Sequence, residues 1–178
     1  MLQGLIMRFD LGNGYCIRSF MYGDAPLIAD HGNNRKVSRN LRDSFPHPYT
    51  IDHARAWVQH VKQHEAYSRF IIAYEDKAVG EIGFVFQGDV HRYSAEIGYW
   101  LSEEHWGKGI MSRAIPEICE YAFREFGLMR LYAEVVEHNV GSCRVLEKSG
   151  FVLEGRCRKH IYKEDEHFDQ LVFGLVKS

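Results

Sequence analysis

Residues His105-Trp106-Gly107-Lys108-Gly109-Ile110-Met111-Ser112 constrain this chain most. They follow a strand-like run, Ala95-Glu96-Ile97-Gly98-Tyr99-Trp100-Leu101, and precede an amphipathic helical pattern. A strand, a glycine turn and a helix start in that order make an anion cradle. Glycine lets the backbone approach a ligand closely, and the first helical turn holds N–H groups without intrahelical partners. The helix dipole adds positive potential at the same point, which suits a diphosphate. Neither common nucleotide fingerprint is present. Gly107-Lys108-Gly109 runs into Ile110, not the Ser or Thr that a Walker loop needs, and the third glycine of a dinucleotide fold is missing. An ordinary strand-to-helix turn would also use glycine here, for geometry alone.

The flanking pattern is mixed. Arg8 to Phe20 reads as a first strand with a turn at Gly12-Asn13-Gly14. Asp24 and Pro26 mark a helix start, and the helical stretch to about Leu41 weakens near Gly32. Asp43 to Tyr49, with two prolines and two aromatics, reads as an ordered extended loop. Thr50 caps a second helix, with Ala54, Trp57, Val58 and Val61 on one face. The period then changes to strands at Phe70–Tyr74, Ala78–Gln87 and Tyr93–Leu101, an antiparallel meander. After the glycine loop comes a helix with Pro116 inside it, where a kink is expected. A strand at Leu131–Glu137, a short helix from Val140 stopped by Gly150, and a closing hairpin turning at Glu164-Asp165-Glu166 complete the order. This succession implies an α+β fold with a central mixed sheet.

A length of 178 residues fits one domain, residues 1–178, and 46% hydrophobic residues suffice for a real core. A formal net charge of −2 gives no footprint for general nucleic-acid binding. No run approaches the ~20 apolar residues that span a bilayer, so no membrane partner is expected. The opening Met1 to Arg8 lacks the apolar core of a leader, and Cys16, Cys119, Cys143 and Cys157 show no paired spacing. The expected compartment is the cytoplasm. A homo-oligomer is compatible with all of this.

A second block stands downstream: Glu137-His138-Asn139-Val140-Gly141-Ser142, leading through a short helix to Lys148-Ser149-Gly150-Phe151. With Ala95 to Leu101 and Trp106 to Met111 ahead of it, three blocks occur in the order found in the GNAT acetyltransferases, which the chain resembles over nearly its whole length. Glu-Ile-Gly-Tyr-Trp-Leu, then Trp-Gly-Lys-Gly-Ile-Met, together with Asn40 to Thr50, is similar to the Rim-type branch. That branch includes acetyltransferases of ribosomal-protein N-termini. The resemblance implies a single-domain GNAT-like fold: a mixed, mostly antiparallel sheet flanked by helices, with strands splayed at the cofactor site. It also implies acetyl-CoA as acetyl donor, no metal, and transfer to a primary amine. A peptide N-terminus is the favoured acceptor. The alternatives are a small amine such as a polyamine, drug or metabolite, or a CoA-binding sensor without chemistry.

The resemblance assigns roles by position. Trp100, Leu101 and Ser102 would bind the pantetheine arm through backbone groups, with the oxyanion donor near Leu101. The N–H groups of Trp106, Gly107, Lys108, Gly109, Ile110, Met111 and Ser112 would hold the pyrophosphate. Lys108 adds charge or is simply solvated. Asn139 would bond the pantetheine amide, or cap the helix behind it, or both. Ser142 is the candidate general acid, the alternative being a structural serine. Leu146 stands where many members carry a tyrosine, so that group is missing. Glu96 is the candidate base acting through water, on one strand face with Gly98 and Trp100, the alternative being a solvated glutamate. A glutamate that some Rim-type enzymes carry after Gly155 is absent, with Ile161 near its position. Phe45, His47 and Tyr49 are candidates for the acceptor pocket. His60 and His64, one turn apart, form a conceivable metal pair, but with no third ligand a solvated helix face is the favoured reading. Asp169 would attract an amine or pair with Arg158.

Overall fold

The turn at Gly12-Asn13-Gly14 reverses the chain, each residue taking positive φ. It pairs β1 (Arg8–Gly12) with β2 (Tyr15–Arg18). The expected single interrupted strand is therefore a hairpin. A computed structural model describes residues 7–177; the opening Met1 to Ile6, most of the segment read for a leader, lies outside the described residues. α1 (Ala25–Gly32) follows Asp24, whose carboxylate does not cap it. Instead Asp24 accepts two hydrogen bonds from the buried Arg18 guanidinium, 2.7 and 2.9 Å, and one from Met21 N–H. After the break at Gly32 a single turn forms α2 (Arg35–Ser38). Thr50 Oγ1 accepts from His53 N–H and starts α3 (Ile51–His60), which passes into a π turn over Val61–Glu65.

The meander is β3 (Arg69–Tyr74), β4 (Lys77–Phe86) and β5 (Ser94–Leu101), antiparallel throughout. α4 (Ile110–Phe126) runs unbroken through Pro116. Pro116 lies on the exposed side, where water can satisfy the carbonyl that the missing N–H leaves free. β6 (Arg130–Val136), α5 (Val140–Lys148), β7 (Val152–Lys163) and β8 (Glu166–Val176) follow. The eight strands form one sheet in the order β1-β2-β3-β4-β5-β6-β8-β7. Among the described residues only β5 and β6 run parallel.

Alternation along the strands sends apolar side chains to both faces, giving two cores. Ile82, Ile97, Leu101, Ile115, Ile118 and Phe173 belong to the α4–α5 side. Ile28, Val58, Ile71, Ala73 and Trp100 belong to the α1–α3 side. This is a three-layer arrangement, so β5 meets a different helical layer on each face. Among the described residues no helix is long and apolar enough to cross a membrane.

Candidate active site

β5 and β6 pair for only three registers, Ser94 with Arg130, Ala95 with Leu131 and Glu96 with Tyr132. Beyond Glu96 they diverge, while β5 stays fully paired to β4 as far as Leu101. Ser102 N–H donates to Val79 O on β4 at 2.8 Å. Counting back by twos, Trp100 and Gly98 also turn their backbone groups toward β4, and the N–H groups of Leu101 and Tyr99 point into the gap. Leu101 O is already engaged by Trp106 Nε1 at 2.7 Å, so only the N–H of that residue is free for a ligand. This bond also explains why Trp106 fits here: the indole fastens the end of the strand to the glycine loop.

A cleft of about 780 Å³ runs from the gap along α4 and α5. Trp100, Leu101, Trp106, Gly107, Gly109, Ile110, Met111, Ser112 and Asn139 line it. Gly107 and Gly109 hold φ of +73° and +70°, and Gly109 is the residue before the first turn of α4. Lys36, Arg39, Arg144 and Lys148 add positive charge around the wall, an excess suited to phosphate that the sequence reading missed because they come from α2, its end and α5. Two expected members are elsewhere. Lys108 is exposed and outside the lining. Ser102 is buried and turned away, its N–H continuing the β4–β5 ladder and its hydroxyl bonded to His31 Nδ1 at 3.0 Å. Beneath the loop, His105 Nδ1 meets Tyr15 OH at 2.7 Å. Burial, with Lys108 and His31 nearby, pushes that imidazole below its ordinary pKa and keeps it neutral.

A second cavity of about 580 Å³ opens on the α1–α3 side. Phe45 and Tyr49 form its aromatic wall, stacked at 4.4 Å, with Phe45 edge-on to Trp100. His47 is exposed and outside the wall, because the proline loop turns Phe45 and Tyr49 inward and His47 to solvent. Glu96 lines the cavity and pairs with Arg42 at 2.7 Å; the same guanidinium reaches Glu134 on β6 at 3.0 Å. Arg42 thus bridges the two strands just where they part. Glu81 forms part of the floor. Its signal in the sequence is a lone carboxylate inside the apolar run Ala78 to Phe84.

The two cavities share Asn40, Leu41, Tyr99, Trp100, Asn139 and Ser142. Asn139 Oδ1 accepts from Ser142 N–H at 3.2 Å, capping α5. Ser142 Oγ shares a hydrogen bond of 2.7 Å with Tyr99 OH. Sequence reading took Tyr99 only as part of the strand motif, since alternation puts it on the core face. Burial drives the Tyr99 hydroxyl well above the ordinary phenol range, so it stays a neutral phenol in the working range. Leu146, at the position of the missing tyrosine, is fully buried in the core. His60 and Asp169 have partners of their own. His60 Nε2 meets Glu65 at 2.9 Å, its ring stacked on Trp57, and no metal-ligand group forms among the described residues. Asp169 pairs with Arg156 and the Lys159 N–H, not with Arg158.

A parallel pair of strands that splays beside a glycine-led helix defines an acyl-CoA-binding class of fold. Comparison with known proteins gives the family. The model of the acetyltransferase (GNAT) domain matches residues 15–152. An uncharacterized N-acetyltransferase of Bacillus subtilis, YoaA, is 39% identical over 99 residues, 56% of this chain and 55% of that protein. The ribosomal-protein-serine acetyltransferase of Escherichia coli is 33% identical over 107 residues, 60% of this chain and 59% of its own length. The aligned region thus spans a little over half of each of these relatives. A ribosomal L7/L12 α-N-protein acetyltransferase solved with coenzyme A shares the fold, with a TM-score of 0.83 at 20% identity, covering 96% of this chain and 98% of that one. The chain belongs to the GNAT acetyltransferase family.

Proposed function

We propose that this chain transfers an acetyl group from acetyl-CoA to a primary amine, with a peptide N-terminus as acceptor. The observation that carries the reading is the junction of the two cavities at Tyr99, Trp100, Asn139 and Ser142, beside the open N–H of Leu101. The basic, glycine-led cleft suits the diphosphate of the donor. The acidic, aromatic cavity suits an amine. Relatives that carry ribosomal-protein acetyltransferase names support the peptide acceptor.

The chemistry follows from the groups at the junction. A free amine is mostly protonated near neutrality, so a base must act first. Glu96 takes that proton through water, and the arriving ammonium replaces Arg42 as its partner. The amine nitrogen attacks the thioester carbonyl carbon. The N–H of Leu101 stabilises the oxyanion. When the C–S bond breaks, Ser142 gives its proton to the sulfur and is resupplied by Tyr99 through their shared hydrogen bond, while the proton that the acylated nitrogen sheds returns through water to Tyr99, so both hydroxyls end neutral. Asn139 holds the pantetheine amide and Ser142 together. The four unpaired cysteines fit a reducing compartment, and we place the protein in the cytoplasm.

The test is release of coenzyme A thiol from acetyl-CoA across two sets of acceptors. Peptides with free Ala, Ser or Met N-termini form one set; polyamines, aminoglycosides and amino acids form the other. Release with peptides is expected. Release with small amines alone would replace the peptide acceptor, and silence in both sets with coenzyme A bound would leave only a sensor.

A further inference from the structure

Glu81 is a carboxylate in the middle of a strand whose neighbours are all buried, and it is itself only 5% exposed. A charge in such a place needs compensation, and here the compensation is incomplete. Trp57 Nε1 donates to it at 2.9 Å. Arg69 reaches it only at 3.4 Å, because that guanidinium is committed to Glu65 at 2.7 Å and lies over the Trp57 ring. Trp100, 7% exposed, brings its Nε1 near the same carboxylate but completes no hydrogen bond with any group. The result is a carboxylate with unused acceptor capacity beside an indole with an unused donor. Both lie in the acceptor cavity, walled by Tyr49 and Phe45.

Glu81 is also placed apart from the proposed base. It pairs in register with Trp100, while Glu96 pairs with Val85. The two carboxylates therefore share one sheet face, about 13 Å apart along the strands at ~3.3 Å per residue. Trp100 borders the junction of the cavities, so the Glu81 floor is within a side chain's reach of the reacting amine. Aromatic faces around a buried carboxylate favour an alkylammonium or guanidinium, which gains both charge pairing and cation–π contact. The free Trp100 donor asks for an oxygen next to that cation, and a peptide carbonyl supplies one.

We propose that Glu81, Trp57 and Trp100 form a seat for a second cationic group of the acceptor, a basic side chain close to the N-terminus that is acetylated. The inference rests on the acetyltransferase reading and names its acceptor class.

The experiment uses acceptors that differ in one charge. Ser-Lys and Ser-norleucine peptides form one pair; 1,4-diaminobutane and n-butylamine form another. In the wild-type protein the basic member is expected to win by about tenfold in kcat/KM, through KM. Glu81→Gln, which keeps the shape, should bring each pair within about twofold. A preference in the peptide pair alone identifies a peptide, whose carbonyl also meets Trp100; a preference in both pairs extends the seat to diamines. Equal rates within both pairs of the wild-type protein would overturn the proposal. So would a fall in kcat common to every acceptor in Glu81→Gln, which would make Glu81 a proton acceptor instead. If no acceptor reacts, the transfer reading fails by itself. The seat is then read by calorimetry of the two peptides on CoA-loaded protein, where equal affinity refutes it.

Discussion

The two halves of the site are built by different means. The cofactor half is mostly backbone: positive-φ glycines, the first turn of α4, and a strand edge freed where β5 leaves β6. The acceptor half is mostly side chain: Glu81, Glu96 and Glu134 against Arg42 and Arg69, inside an aromatic wall. A backbone-built site tolerates changes of residue as long as conformation is kept. A side-chain-built site can be re-specified by single substitutions. One fold can therefore hold its donor constant and exchange its acceptors.

The largest effect should come from the base. Glu96→Gln is expected to lower kcat by about 100- to 10,000-fold with little change in acetyl-CoA affinity. An unchanged kcat would return Glu96 to a structural partner of Arg42 and break the division of labour between the halves. The next largest belongs to the cofactor side. Gly109 has no atom within 4 Å of an added Cβ, so a side chain there meets no protein bulk. Its φ of +70° nevertheless strains most L residues, by ~1–2 kcal/mol, and an Asp would place negative charge at the phosphate cradle. Gly109→Asp should weaken coenzyme A binding by about a hundredfold in calorimetry. Intact affinity would mean that the diphosphate is held elsewhere.

How much of this the sequence showed follows the same division. The glycine loop, the Asn139 cap and the order of elements are local patterns, so they were readable from spacing. The splay was only implied by resemblance, because no residue marks where a parallel pair stops. The acceptor half was hard to read because its parts are far apart in sequence. Arg42 meets Glu96 and Glu134 across 54 and 92 residues. His47 was drawn in because it stands two residues from both Phe45 and Tyr49, a spacing that shares one face in an extended chain, but the segment forms a turn and bends instead, and His47 faces solvent. Tyr99 was hidden for another reason: an aromatic on the core face of a strand reads as packing until its hydroxyl is seen to find Ser142.

That pair gives an intermediate effect. Ser142→Ala and Tyr99→Phe should each lower kcat by about tenfold, and the double variant should be no worse than Ser142→Ala alone. Such non-additivity is the mark of a serial proton path. Additive losses would mean that the two hydroxyls act independently, with Tyr99 packing only.

The smallest effect, on stability, separates the halves most directly. The carboxyl of Glu81 has a folded pKa raised above its ordinary 4.5, chiefly by burial. The folded protein therefore binds this proton more tightly than the unfolded chain does. The associated stability is complete below about pH 4.5 and declines as pH rises toward and through the raised folded value. Glu81→Gln removes that liability. It should raise stability by about 1 kcal/mol at pH 8.5, with the gain shrinking toward about pH 5, in urea unfolding followed at several pH values. A variant less stable than wild type at pH 8.5 would show that Trp57 and Arg69 already satisfy the carboxylate, and the reason for expecting a ligand there would be gone. A gain in stability together with a lost preference for basic acceptors would show the acceptor half holding a costly charge for recognition. No comparable gain is expected in the cofactor half, where Gly107 and Gly109 adopt their positive φ without strain.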